Sequence, residues 1–351
     1  MSMPTRRLAF ADALRGIASL AVFAQHSFER AVPLDTGAFL NGAPGVFGVV
    51  TFFILSGFVM PFSVSREPPL NEYVVRRLFR IYPAYLAALA FAALSGLIAG
   101  TQATNFHFTG VELLSNLLFL FEYLKQPAYL GVTWTISLEI VWYVLFAAIY
   151  YTIGERWLRR MHTVLCAGLL AAGALSLAYG VRLPTGRVAM VIAAVTGSLF
   201  AQWYRGQLSN RKLAASTALF AAAVTLATYA SFGHLSHPNI TLFQASTAWS
   251  LGTVLTLALI IAAKYQRLPR YLEGPAWVRL GTISYSVYLL HGPIISAMEP
   301  FVHGWTQVLV SLAVTLGLAE AMFRFVERPG MELGVRISAS MTAAGQVALS
   351  K

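Results

Sequence analysis

A few residues of chemistry-bearing type stand in otherwise apolar surroundings. Arg15 and His26 share one apolar run, eleven residues apart. At 100° and 1.5 Å per residue, that spacing puts them within about 20° of one helix face and roughly 16 Å apart along the axis, so one polar seam runs along one helix. Glu139 lies in TWTISLEIVWYVL, with Thr135 and Ser137 nearby as simple helix back-bonders. In GTISYSVYLLHGPI, Ser284, Tyr288 and His291 fall at i, i+4 and i+7 and so share a face, while Tyr285 fits an interfacial anchor. A neutral imidazole can take a proton from a hydroxyl or attack an electrophilic carbon itself, and a carboxylate nearby can tune it. Arg77 and Arg80, in RRLFRIYPAY, are one helical turn apart and suit a phosphorylated ligand. Their charge fits membrane-side decoration or lipid headgroup binding equally well.

These groups need helices in lipid to hold them. The chain has 351 residues, 57% hydrophobic and 11% charged, against roughly 25% charged in an ordinary soluble domain. Too few polar residues exist to cover a water-facing surface, which excludes a soluble enzyme and a disordered chain. A single cysteine, Cys166, excludes a disulfide-stapled domain and, in its apolar run, reads as a packed small residue. An ionisable group inside a membrane helix costs several kcal/mol unless it faces a partner or a cavity, so Arg15, His26, Glu139 and His291 are functional candidates by default.

A crossing helix needs about 20 apolar residues. Eleven runs are found, at approximately 9–29, 45–64, 79–99, 111–124, 132–153, 161–180, 186–204, 213–232, 244–263, 280–299 and 305–326. The fourth is too short to span comfortably. The fold expected is therefore an all-α integral membrane protein of about ten transmembrane helices plus one short re-entrant or interfacial helix, with both termini cytoplasmic. The net charge of +11 then reduces to topology rather than to nucleic-acid binding. Of 25 basic residues, 20 gather on one side, from Arg6, Arg7 and Arg66 at the start to Arg336 and Lys351 at the end. Arg30, Lys125, Arg182 and Arg187 fall on the other side, and Arg15 lies within the first span. Residues 1–329 are read as one multi-span domain and 330–351 as a short cytoplasmic tail.

The strings ADALRGIASLAVFAQH, FFILSGF, RRLFRIYPAY, TWTISLE, GTISYSVYLLH and FVERP, in that order over residues 11–329, resemble the signature blocks of the acyltransferase 3 family, integral membrane enzymes that modify cell-surface glycans and related acceptors. The resemblance implies that His26 is the catalytic residue and Arg15 a contact for the acyl donor, that Arg77 and Arg80 correspond to the paired arginines of the third span, and that Glu139 is the acidic residue of the tryptophan-containing block. Many members carry a second acidic residue directly after that glutamate. Ile140 stands there in this chain, which puts a carboxylate pair in doubt.

The function expected is transfer of an acyl group, acetyl above all, from cytosolic acyl-CoA to a hydroxyl of an extracytoplasmic acceptor, a surface polysaccharide or glycolipid, in the bacterial inner membrane. Arg77 and Arg80 would hold the CoA phosphates and Arg15 would guide the donor. His26, with Glu139, would act as general base or carry the acyl group briefly, and Ser284, Tyr288 or His291 would orient a substrate. Acyl-CoA is a substrate rather than a bound cofactor, and no metal is expected. The partners are then the donor, the glycan or lipid-linked glycan acceptor and the bilayer, with no nucleic acid. Any periplasmic partner completing the transfer would be a separate chain. A transporter or flippase using the same buried His, Glu and Arg as a relay is the alternative from another class. A scaffold whose polar groups merely join helices is the third.

Overall fold

A computed structural model describes residues 8–31, 43–65, 67–99, 109–235 and 240–349, and these fold into helices and connecting turns with no strand. In chain order the helices are α1 (Ala9–Ala31), α2 (Pro44–Ser63), α3 (Leu70–Ala99), α4 (Gly110–Leu117), α5 (Thr133–Thr152), α6 (Leu158–Tyr179), α7 (Thr185–Tyr204) and α8 (Asn210–Thr228). They continue with α9 (Leu242–Lys264), α10 (Pro275–Thr282), α11 (Ser284–Met298), α12 (Gly304–Met322) and α13 (Arg328–Leu349).

Among the described residues, eight helical stretches are long and apolar enough to cross a membrane: α2, α3, α5, α6, α7, α8, α9 and the continuous α12–α13. The chain is a multi-pass membrane protein. The two remaining expected spans, 9–29 and 280–299, fall short for different reasons. Helix α1 has 23 residues but carries Asp12, Arg15, His26, Glu29 and Arg30. The run 280–299 is broken between α10 and α11, and α11 keeps only 15 residues, about 22 Å against a hydrocarbon core of roughly 30 Å. The helices that miss the apolar standard are thus the ones that carry His26 and His291. Helix α4, with eight residues, rises about 12 Å and is too short to cross. Arg6, Arg7, Arg66 and Lys351, which entered the charge count, lie outside the described residues.

The chain divides into two compact units, one formed from residues 1–25, 35–63 and 138–282 and the other from 26–34, 64–137 and 283–351. In the first unit α2 and α7 cross at glycines. A Cβ on Gly57 would collide with the carbonyl of Ala194, and one on Gly197 with the carbonyl of Ile54. The Ser198 hydroxyl donates to the Gly57 carbonyl at 2.8 Å. Small residues are what allow membrane helices to approach backbone to backbone. Helix α1 is seated on α10 in the same way: a Cβ on Gly16 would lie 2.8 Å from the Leu280 side chain, and Gly281 abuts the Asp12 backbone. At the end of α7, the Lys264 ammonium donates to the carbonyls of Trp203 (2.6 Å) and Tyr204 (3.0 Å). It thereby serves acceptors that the helix terminus leaves without intrahelical partners.

In the second unit α3 packs against α11 and α13, and Gly330 and Gly334 meet Pro83 and Phe79 of α3. Residues 330–351, expected as a short tail, are a helix to Leu349. The chain enters it from α12 without a break, through a wide turn of π type at Phe323–Glu327, and the apolar contact with α3 gives the segment a reason to be ordered. The wide turn delivers Glu327, 1% exposed, into a buried ion pair: its Oε1 accepts from Arg80 Nη1 at 2.5 Å and its Oε2 from the Ser286 hydroxyl at 2.7 Å. Both carboxylate oxygens therefore have donors, as a buried charge requires. After α4, whose first turn is capped by Thr109, the buried Asn116 pins the next loop by accepting from the Tyr129 N–H and donating to the Pro127 carbonyl, both at 2.9 Å.

Gly197→Leu forces the α2–α7 backbones apart and is expected to cost about 3 kcal/mol or more, read as a lower Tm and reduced monodisperse yield in detergent. Glu327→Ala leaves Arg80 without its counter-ion and is expected to cost about 2 kcal/mol or more, below the ~3–5 kcal/mol of a fully buried pair because Arg80 is 31% exposed.

Candidate functional site

The second unit brings His26 and His291 together. His26 Nδ1 lies 2.9 Å from His291 Nε2. The rings are inclined by only 23° with centroids 5.1 Å apart, so they meet edge to edge in nearly one plane, as a hydrogen bond between two imidazoles requires. His291 is fully buried and its Nδ1 lies 3.2 Å from the Val287 carbonyl one turn back. His26 is half-buried on the penultimate turn of α1.

Three polar contacts are spaced along α11, the first to the wide turn before α13 and the other two to α1. At its start Ser286 meets Glu327 and, through it, Arg80. Five residues on, about 7.5 Å along the axis, His291 meets His26. Five residues further, the Ser296 hydroxyl accepts from the Arg30 guanidinium, which also pairs with Glu299 at 3.5 Å. Arg30 stands one helical turn beyond His26 on α1 and therefore shares its face.

Tyr288 and His291 lie side by side, with ring centroids 5.9 Å apart. The Thr135 hydroxyl lies 2.9 Å from the Val132 carbonyl and 2.7 Å from Tyr288 Oη, which is itself 3.5 Å from that carbonyl, so the two hydroxyls and the carbonyl form one cluster. Thr135 is thus both the back-bonder expected and the partner that orients Tyr288. Ser137 turns elsewhere, to the Phe119 carbonyl at 3.0 Å. Ser284 is buried at the first turn of α11. Tyr285, expected as an interfacial anchor, instead ties α11 to α3: its hydroxyl donates to the Ile81 carbonyl at 3.1 Å, and the Arg80 guanidinium sits 5.5 Å from its ring centroid.

Arg80 is thus engaged by Glu327 and Tyr285. Arg77 lies a turn earlier, its guanidinium 5.4 Å from the Tyr73 ring centroid, while the exposed Arg76 pairs with Glu72 at 2.5 Å. Glu139 and Arg15 belong to the first unit. The half-buried Glu139 accepts from Tyr143 at 2.6 Å and from Ser56 at 3.2 Å, both on Oε1. Hydroxyl donors on one oxygen leave the other able to take a proton or to accept from a substrate. Arg15 is half-buried on α1.

Residues that the sequence reading did not single out as site members are Glu327, Arg30 and Ser296. Glu327 had a signal, a lone acidic residue at the end of an apolar run inside FVERP. Arg30 was counted only as a topological charge, and a serine such as Ser296 carries no signal in an apolar helix.

A family model described as an acyltransferase domain matches residues 8–323. Relatives include nodulation protein 10 of Rhizobium leguminosarum bv. viciae, 24% identical over 92% of this chain and 93% of that protein. The exopolysaccharide production protein ExoZ of Rhizobium meliloti is 27% identical over 80% of this chain and 84% of its own length. The peptidoglycan O-acetyltransferase OatA of Listeria monocytogenes is 23% identical over 91% of this chain, which spans 55% of that longer protein. No solved structure matches the chain. With a match covering most of its length and relatives that are acetyltransferases by name, the chain belongs to the acyltransferase 3 family and is an O-acyltransferase.

Proposed function

We propose that this enzyme takes an acyl group, acetyl above all, from cytosolic acyl-CoA and delivers it to a hydroxyl of an extracytoplasmic glycan or glycolipid, acting in the bacterial inner membrane. The observation that carries the reading is the His26–His291 hydrogen bond, an imidazole pair formed between α1 and α11 within an otherwise apolar chain. Relatives named for exopolysaccharide production and for peptidoglycan O-acetylation support a glycan as acceptor. Membership of an acyltransferase family favours transfer over the transporter alternative.

His26 removes the proton from the acceptor hydroxyl as its oxygen attacks the thioester carbonyl. The tetrahedral adduct then collapses, the C–S bond breaks, and the CoA thiolate leaves with the proton returned by the imidazolium. In the covalent variant of the same chemistry, the His26 nitrogen attacks the thioester carbonyl and expels the CoA thiolate; the acceptor oxygen then attacks the acyl-imidazolium, the C–N bond breaks, and the hydroxyl proton passes to the thiolate. Arg15 and Arg77 contact the donor. Arg80 contributes at the same end of α3 and is held by Glu327, so it positions the donor site as a fixed charge rather than a mobile one. Tyr288, oriented by Thr135, and Ser284 line the neighbouring turns of α11 and orient substrate. Glu139, whose Oε1 is held by Tyr143 and Ser56, is the acidic residue assigned to assist the base.

His26→Ala is expected to lower acetyl transfer by about 10²-fold or more while the purified protein keeps its Tm in lipid nanodiscs. Wild-type transfer by that variant, measured as label passing from acetyl-CoA to surface glycan, removes His26 from the chemistry. Arg77→Ala is expected to raise the KM for acetyl-CoA about tenfold, equivalent to ~1.4 kcal/mol of donor binding, with kcat little changed. An unaltered KM takes Arg77 off the donor path.

A further inference from the structure

The geometry points to His291 as a positioning residue that fixes which nitrogen of His26 faces the substrate, and it rests on the reading of His26 as the reacting residue. A carbonyl oxygen only accepts hydrogen bonds, so the His291 Nδ1 that lies 3.2 Å from the Val287 carbonyl carries a proton. In neutral His291 the other nitrogen, Nε2, is then a lone pair. That lone pair faces His26 Nδ1 at 2.9 Å, so His26 Nδ1 must be the donor. Neutral His26 is thereby fixed as the Nδ1–H tautomer, with Nε2 left as its basic, nucleophilic nitrogen. The reverse assignment would set the His291 Nδ1 lone pair against the carbonyl's lone pair at a fully buried position, where no water can relieve the opposition.

The neighbouring contacts hold this direction. Tyr288, whose ring adjoins His291, has its hydroxyl 2.7 Å from Thr135 Oγ1 and 3.5 Å from the Val132 carbonyl, so its proton has acceptors other than His291 Nε2. Arg30, one turn beyond His26, is engaged by Ser296 and Glu299. When His26 takes the acceptor's proton on Nε2, its imidazolium still donates from Nδ1 to His291 Nε2, and that hydrogen bond strengthens as the donor becomes charged. His291 therefore does in this chain what a third group does for the base of a hydrolytic triad: it sets tautomer and ring orientation without touching substrate.

The test separates tautomer control from packing. His291→Leu keeps an apolar side chain of useful volume and removes the acceptor. His291→Gln returns an oxygen at about the place of Nε2. With protein in lipid nanodiscs, labelled acetyl-CoA and glycan extracted from cells lacking the enzyme, His291→Leu is expected to reduce kcat about 10²-fold with the KM for acetyl-CoA within about twofold. His291→Gln is expected to recover at least about tenfold of that loss. Nitrogen NMR of the wild-type protein, with 15N in its imidazoles and His26 assigned by comparison with His26→Ala, is expected to place the His26 proton on Nδ1. A proton on Nε2, or a kcat for His291→Leu within twofold of wild type while His26→Ala is inactive, overturns the inference and leaves the proposed function standing. An active His26→Ala variant overturns the functional reading itself.

Discussion

The hydrogen bond between His26 and His291 makes the last turns of α1 and the middle of α11 dependent on each other. His291 is fully buried, and a buried polar group pays its whole desolvation cost when its partner is withdrawn. Neither imidazole can shift by much without leaving the other exposed to that cost. Because the rings are nearly coplanar, the constraint fixes orientation as well as distance. Helix α11 is short, and its three polar contacts, with Glu327, His26 and Arg30, fall at intervals of five residues. Five residues is 500° of helical rotation, so successive contacts lie about 140° apart around the axis. The three contacts are thereby spread around one 15-residue helix, the first to the wide turn before α13 and the other two to α1.

The same rule of mutual satisfaction governs the rest of the buried polarity. Glu327 receives a cation and a hydroxyl, and Asn116 donates to the Glu112 and Pro127 carbonyls while accepting from the Tyr129 N–H. In the first unit the α2–α7 crossing rests on close backbone approach at Gly57 and Gly197, with the Ser198 hydroxyl donating to the Gly57 carbonyl. A membrane enzyme has to combine both kinds of joint. Apolar helices can pack anywhere along their length, and the polar contacts select one register.

Much of this was readable from the chain itself, for local reasons. Runs of apolar residues between basic clusters located the long helices, since length and hydropathy are properties of a single segment. His26, His291, Glu139 and the arginine turn of α3 were visible because a charged or ionisable side chain in such a run is conspicuous. The pairing of His26 with His291 was not readable, because nothing in either segment says which nitrogen meets which across 265 positions. The engagement of Arg80 was hidden likewise, since its partner lies beyond the last apolar run. The run 280–299 looked continuous because Gly281 carries no sign of the Asp12 backbone pressed against it. The helix after Arg328 was missed because its fit against Phe79 and Pro83 depends on two glycines that, in sequence, argue against helix.

The wide turn at Phe323–Glu327 joins α12 to α13 as a phase slip of one residue. It lets two helical faces that an unbroken helix would bring out of step both find their partners, with Glu327 toward Arg80 and Gly330 and Gly334 toward α3. Phase of this kind is a matter of counting rather than of residue type. Conservative replacements within the turn would preserve it, whereas removing one residue would rotate everything that follows by about 100° and swing the glycine pair off α3. The length of the stretch between Met322 and Arg328 is therefore under a constraint that its composition does not reveal.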